Sequence, residues 1–187
     1  MINTYLETKI HMLLVLLVLL GGINWGTTAI GYNFVEILSN KLNKLFNINK
    51  PFDKIIYIII FISALSLVIK RNTWLPFLGK SVLPASLIST KVPEKTNFIV
   101  KAKTLPNSKV VYWGALYKND KQNVEEAYDD YSNSGVVMSD KDGNVEFPIL
   151  IGGGYVVPSG RFIPRHVHYR VLGLEYGMMG EVKTVSY

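Results

Sequence analysis

The chain has 187 residues and a formal net charge of +6, which allows one or two domains and excludes a large multidomain machine. It contains no cysteine, so disulfide scaffolds, Cys-based zinc sites and thiol catalysis are excluded together. The basic excess is thin: residues 1–72 hold 7 basic and 3 acidic side chains, and residues 73–187 hold 13 and 11. Neither part makes the phosphate footprint of a nucleic-acid binder.

The apolar residues are concentrated in the first 72. Residues 12–32 carry no charge and as a helix reach about 31 Å, the thickness of a hydrocarbon core, which predicts a transmembrane span. A second apolar run over 52–69, about 27 Å as a helix, is flanked by Lys54 and by Lys70 and Arg71, whose heads can snorkel to the interface. Together they predict a two-helix transmembrane hairpin occupying residues 1–72. A cleaved signal peptide is the competing reading of the first run, because Lys9 precedes it and Thr27, Thr28 and Ala29 follow its apolar core. The second apolar segment downstream favours the hairpin. Lys41, Lys44, Lys50 and Lys54 in the link balance Lys9, Lys70, Arg71 and Lys80 opposite, so the positive-inside rule ties. Two spans place the N-terminus and the large C-terminal region on the same side.

Within the first span, Gly21, Gly22 and Gly26 permit close helix approach, while Asn24, Thr27 and Thr28 supply hydrogen bonds across a helix pair. This reads as helix packing rather than a transport path, since no Asp, Glu or Arg lies mid-span. The GGINWG stretch, followed by NFVEIL, a polar lysine-bearing link and an apolar helix beginning near Ile55, resembles a small two-helix membrane family of unknown function found mainly in bacteria. The resemblance covers residues 9–71 and implies no activity.

After Arg71, Pro76, Pro84 and Pro93 recur in a stretch that proline keeps from forming a long helix or a central strand. Residues 73–96 therefore read as an extended connector. Residues 97–187 alternate short apolar runs with turn signals and predict an all-β antiparallel sandwich without helices, giving an α+β chain overall. The sequence Lys141-Asp142-Gly143-Asn144 predicts a tight hairpin between the strands over 136–139 and 145–147. The polar stretch 128–134, rich in Asp and Tyr, reads as the functional loop.

His166 and His168 stand two apart in a predicted strand, on one face and about 6.6 Å apart at their α-carbons, within reach of one metal ion. An isolated HxH pair is more often an ordinary strand face. Tyr155 lies across the Pro158-Ser159-Gly160 turn and can be brought back over the strand. Tyr169 and Arg170 are expected to tolerate substitution better than the histidines.

The order SKVVYWGA, a Tyr/Asp loop, SDKDGNVEF, GGGYVVP and IPRHVHYRV resembles the β-sandwich of intradiol ring-cleaving dioxygenases over residues 97–185. That resemblance implies a non-haem Fe(III) ion held by two tyrosines and two histidines. His166 and His168 match the histidine pair, Tyr155 matches the second tyrosine, and Tyr128 or Tyr131 stands for the first, with Tyr131 taken as the candidate. It also implies an arginine three positions before the first histidine, where this chain has Ile163, so no catalytic set is expected. The whole arrangement, including the PFLGKSVLPASLI stretch and the AYDDYSNSGV loop, resembles small membrane-anchored proteins of large eukaryotic double-stranded DNA viruses, the giant viruses. This implies a minor capsid protein: a structural virion component set in the internal membrane by two spans, its C-terminal domain facing the capsid. Its partners are then the lipid bilayer and the major and other minor capsid proteins, with no nucleic acid and no cofactor. The alternative is a membrane-tethered Fe(III) dioxygenase opening a catechol-like ring. Domain size and the missing arginine favour the structural reading.

Overall fold

The computed structural model describes residues 4–173 and 177–187, and the chain divides into two compact units, Met1–Pro76 and Phe77–Tyr187. The first unit is helical. Helix α1 (Thr4–Ala29) contains Leu6–Ala29, 24 residues long and apolar enough to cross a bilayer, about 36 Å of helix. It starts earlier and ends sooner than the expected 12–32. Leu13, Leu16 and Leu19, which fall within about 120° of the helix circumference, are each exposed by more than half, an apolar stripe left uncovered by the rest of the unit. Gly31, at φ 91°, ends the helix by turning the chain so that the amides of Ile30, Gly31 and Tyr32 bond the Thr27 and Thr28 carbonyls.

The link expected to be merely polar is a second helix, α2 (Phe34–Phe46), capped by the Asn33 side chain on the Glu36 amide and closed by Asn47 in the left-handed region. Asn43 then clamps Lys50 in both directions at 2.9 Å, aiming the chain into α3 (Phe52–Val68). At 17 residues α3 is about 26 Å long, short of the roughly 20 residues of a typical span. Among the described residues α1 alone meets the length and apolarity of a membrane-crossing helix.

Asn24 ties the three helices together. Its carboxamide donates to Asn33 Oδ1 and Tyr57 Oη, both at 3.2 Å, and accepts from the Val35 amide at 3.1 Å. Thr27 and Thr28 bond the Asn24 carbonyl of their own helix instead of crossing to a neighbour. Of the three glycines only Gly21 lies at a close approach, where a Cβ would sit 2.7 Å from Ile60 Cγ2; Gly22 and Gly26 face open space.

The connector is not extended. It holds a turn of helix, α4 (Arg71–Trp74), 3-10 turns at Pro76–Leu78 and Ala85–Leu87, and strand β1 (Ser81–Val82). The stretch from 77 onward belongs to the second unit as a strap on its sheet. Arg170 donates to the Phe77 carbonyl and to Ser81 Oγ, and Lys109 donates to the Ala85 and Ile88 carbonyls.

The second unit is built on β2 (Phe98–Lys103), β3 (Lys109–Gly114), the short helix α5 (Val124–Tyr128), β4 (Ser134–Met138), β5 (Asn144–Ile149), β6 (Tyr155–Val156), β7 (Phe162–Ile163), β8 (His166–Val171), β9 (Met178–Met179) and β10 (Lys183–Ser186). One antiparallel sheet runs β10-β8-β3-β4; β2 pairs with β5, β6 with β7 and β1 with β9. Alternation along the strands turns Val110, Tyr112, Val167 and Tyr169 inward against Val100, Val145, Phe147 and Ile149, with the Tyr112 and Phe147 rings stacked 4.9 Å apart. Tyr169 is therefore core and Arg170 is buried and bonded, so neither is the tolerant position expected.

The turn at 140–144 forms but is no hairpin. Asp140 Oδ1 accepts the Asp142 and Asn144 amides at 2.8 Å, while β4 pairs with β3 and β5 with β2. The turn is an arch that carries the chain between sheets, and local turn chemistry does not distinguish an arch from a hairpin. The helix-free expectation also fails at α5, whose Asn123 and Glu126 form a reciprocal capping box.

Tyr112, fully buried, donates to the Pro148 carbonyl at 2.8 Å, and burial pushes its pKa up to about 12. The unfolded phenol ionises near 10. Its contribution is thus complete below about pH 10 and lost as pH rises toward 12, a loss of about 2–3 kcal/mol. Tyr112→Phe should cost about 1 kcal/mol at pH 8 and flatten the alkaline decline, measured by urea unfolding of the full chain in detergent.

Candidate metal centre

His166 and His168 lie on the outer face of β8, away from the core, and two covers close over them. The first is α5. Its capping box sets the helix start, and the helix ends at Tyr128, whose ring is 6 % exposed. Asp129 and Tyr131 follow at positive φ, 43° and 59°, and swing the chain outward. The second is the β6–β7 hairpin, in which Tyr155 pairs with Ile163 and Gly160 takes φ 80° in the turn. Beside β8 in the same sheet, β10 sets Thr184 opposite His168.

Gln122 fastens the first cover to the second. Completely buried, its side chain donates to the Leu116 and Gly154 carbonyls at 2.8 and 3.0 Å and accepts the Lys118 amide at 2.8 Å, while its carbonyl accepts the Val156 amide. Gly152 permits the adjoining backbone contact, since a Cβ there would stand 1.9 Å from the Ala115 carbonyl oxygen.

These covers bring four donor atoms together. His166 Nε2 is 3.2 Å from Tyr128 Oη, 3.4 Å from Tyr155 Oη and 3.1 Å from His168 Nε2, and the two phenol oxygens are 3.3 Å apart. His166 Nδ1 lies 2.7 Å from the Pro164 carbonyl, which can only accept, so this nitrogen carries the proton. In the neutral ring Nε2 then has a single lone pair. Three groups crowd that lone pair, more than hydrogen bonding alone satisfies. Thr184 Oγ1, 3.0 Å from His168 Nδ1 and able to donate or accept, holds the second imidazole in place.

The sequence-predicted residues Tyr155, His166 and His168 converge in this group. The fourth member is Tyr128. Tyr131 stacks on the Tyr128 ring at a centroid distance of 5.6 Å and is 55 % exposed. The Asn-x-x-Glu signature at 123–126 was the available signal that a short helix starts there; the choice of Tyr128 over Tyr131 follows from where that helix ends, at Asp129 with φ 43°.

The donor set fits a metal. Two imidazole nitrogens and two phenol oxygens, with His166 Nε2 3.1–3.4 Å from the other three and the phenol oxygens 3.3 Å apart, match ligands about 2 Å from one shared ion. Burial, then the hydrogen bond with Tyr155 and the neighbouring phenols, push the Tyr128 pKa upward, so without a cation in the site this phenol keeps its proton. Tyr128, Tyr155 and His166 are each no more than 7 % exposed. His168 is the half-exposed member, with Trp113 beside it at 5.5 Å. Arg170, on the same strand, holds the strap.

No protein-family model matches the chain, and no curated protein is significantly similar to it. The donor geometry predicts a sharp contrast between neighbouring tyrosines. In ferric-ion titrations of the full-length protein, followed by tyrosinate-to-iron absorption, Tyr128→Phe should weaken binding at least about tenfold. Tyr131→Phe should stay close to the parent, and Thr184→Val should fall between.

Proposed function

We propose that the chain is a membrane-anchored structural protein, a minor capsid component of a large double-stranded DNA virus that joins an internal membrane to the shell. In this reading α1 crosses the bilayer, α3 returns as a second span, and the β-domain faces the capsid. Tyr128, Tyr155, His166 and His168 would hold a ferric ion that braces the outer layer of the domain.

The observation that carries the structural reading is Ile163. At the position where the dioxygenase resemblance implies a guanidinium, this side chain packs against the buried cluster of Ala115, Ala127, Tyr128 and Tyr155. An apolar wall stands where ring cleavage would require a charged group, and the nearby Arg170 is engaged with the strap. The four donors, mostly buried and each held by a cover, suit a cross-link among α5, β6 and β8 better than an open reaction centre.

The dioxygenase reading is favoured by one feature, the half-exposed His168 beside Trp113, which leaves one side of the donor group approachable. A ferric ion there would supply Lewis acidity toward an oxygen-bearing ligand. The protein's own contribution would be to fix the two imidazoles through the Pro164 carbonyl and Thr184 and to keep the phenols dry.

The full-length protein is expected to stay in the membrane pellet after alkaline carbonate washing and to occur in purified particles at fixed stoichiometry with the major shell protein. Loaded with ferric ion, it should show the red to purple colour of a tyrosinate complex with no catechol turnover. His166→Ala/His168→Ala should lose the colour and melt several degrees lower. Ring-cleavage turnover abolished by that double variant, without a loss of stability, would establish the enzyme in place of the structural protein.

A further inference from the structure

The strap over residues 77–88 carries apolar side chains in adjacent pairs: Phe77 with Leu78, Val82 with Leu83, and Leu87 with Ile88. In each pair the second member is half-buried, and the first is turned to solvent, with Phe77 71 %, Val82 74 % and Leu87 75 % exposed. The strap does not need these outer three to hold its place. Its inward contacts come from Leu78, Leu83 and Ile88, from Ser81 Oγ and the Phe77 carbonyl on Arg170, and from the Ala85 and Ile88 carbonyls on Lys109. Three large apolar groups repeated every five residues on the outside of a polar-fastened strap mark a surface with its own partner.

Chain continuity identifies that partner. Phe77 follows the last residue of α3 by nine positions, which limits its distance from that helix end to about 30 Å. The intervening Trp74 is 66 % exposed and its indole donates to the Val68 carbonyl at 2.7 Å, closing the end of α3, the arrangement of an interfacial tryptophan. Lys70, Arg71 and Lys80 lie in the same stretch and match anionic headgroups.

We infer that the outer face of the strap, presenting Phe77, Val82 and Leu87, is a bilayer-seating surface that rests the β-domain on the headgroup region of the membrane in which the anchor is set. This inference rests on the anchor reading. Insertion of three side chains to interfacial depth turns a tether into a fixed mount, because a chain held at both the helix end and the strap loses its swing.

The cysteine-free chain makes the test direct. Single variants Phe77→Cys, Val82→Cys and Leu87→Cys, with Lys141→Cys on the arch turn and Leu16→Cys in α1 as references, are labelled with a polarity-sensitive fluorophore. The full-length proteins are then placed in phosphatidylcholine–phosphatidylglycerol vesicles containing lipids that bear quenchers in the upper acyl chain. Blue-shifted emission and lipid quenching at 77, 82 and 87 are expected, at least about twice the quenching at 141. Emission at all three like that at 141, with Leu16 strongly quenched, overturns the seating surface while leaving the anchor intact, and leaves that face to a protein partner. Loss of quenching at Leu16 itself overturns both.

Discussion

Strand β8 is largely buried on both faces although only one of them is apolar. Val167, Tyr169 and Val171 enter the core between the sheets, and His166, His168 and Arg170 point the other way, where His166 and Arg170 are buried and His168 is half-exposed. A buried polar group without a partner costs about 1–3 kcal/mol, so each of these side chains requires something placed over it. The outer layer is that set of partners. Pro164, Thr184, Tyr128 and Tyr155 serve the histidines, and the strap supplies two acceptors to Arg170. The short helix, the small hairpin and the strap share no sheet or motif, and the polar side of one strand holds all three in place.

The helical unit obeys the same rule with a single residue. Asn24, 3 % exposed in an otherwise apolar helix, has one carboxamide to satisfy and draws its partners from the start of α2 and from the middle of α3. With Asn24 shielded from water, that triangle sets which face of α1 meets its neighbours. Gly21 then lets the helices approach at Ile60. One polar side chain and one missing side chain mark where these largely apolar helices meet.

The features that follow from periodicity were legible in the sequence: the apolar first helix, the alternating strands, and the shared face of His166 and His168. Features that depend on distant partners were not. Lys141-Asp142-Gly143-Asn144 dictates a turn, but whether the strands beside it pair with each other depends on β2 and β3, which compete for them. The connector read as extended because prolines exclude long helices, yet its course is fixed by Arg170 and Lys109, far along the chain. Tyr128 and Tyr131 were indistinguishable by composition. The capping box at Asn123 and Glu126 fixes only where the helix starts; which ring turns inward is decided where the helix ends, with Asp129 and Tyr131 at positive φ.

The pairing pattern also has a temporal side. Ser81 pairs with Met179, and Lys183 to Ser186 complete the sheet against β8, so the domain closes only when its last residues are present. Contacts so distant in sequence form slowly, whereas the helices of the first unit are local and fast. During synthesis, which proceeds at about 5–20 residues per second, the helical unit is complete while the β-domain is still an open chain. The domain therefore folds while joined to a finished helical unit, with its strap the first of its segments to emerge and one of the last to be locked.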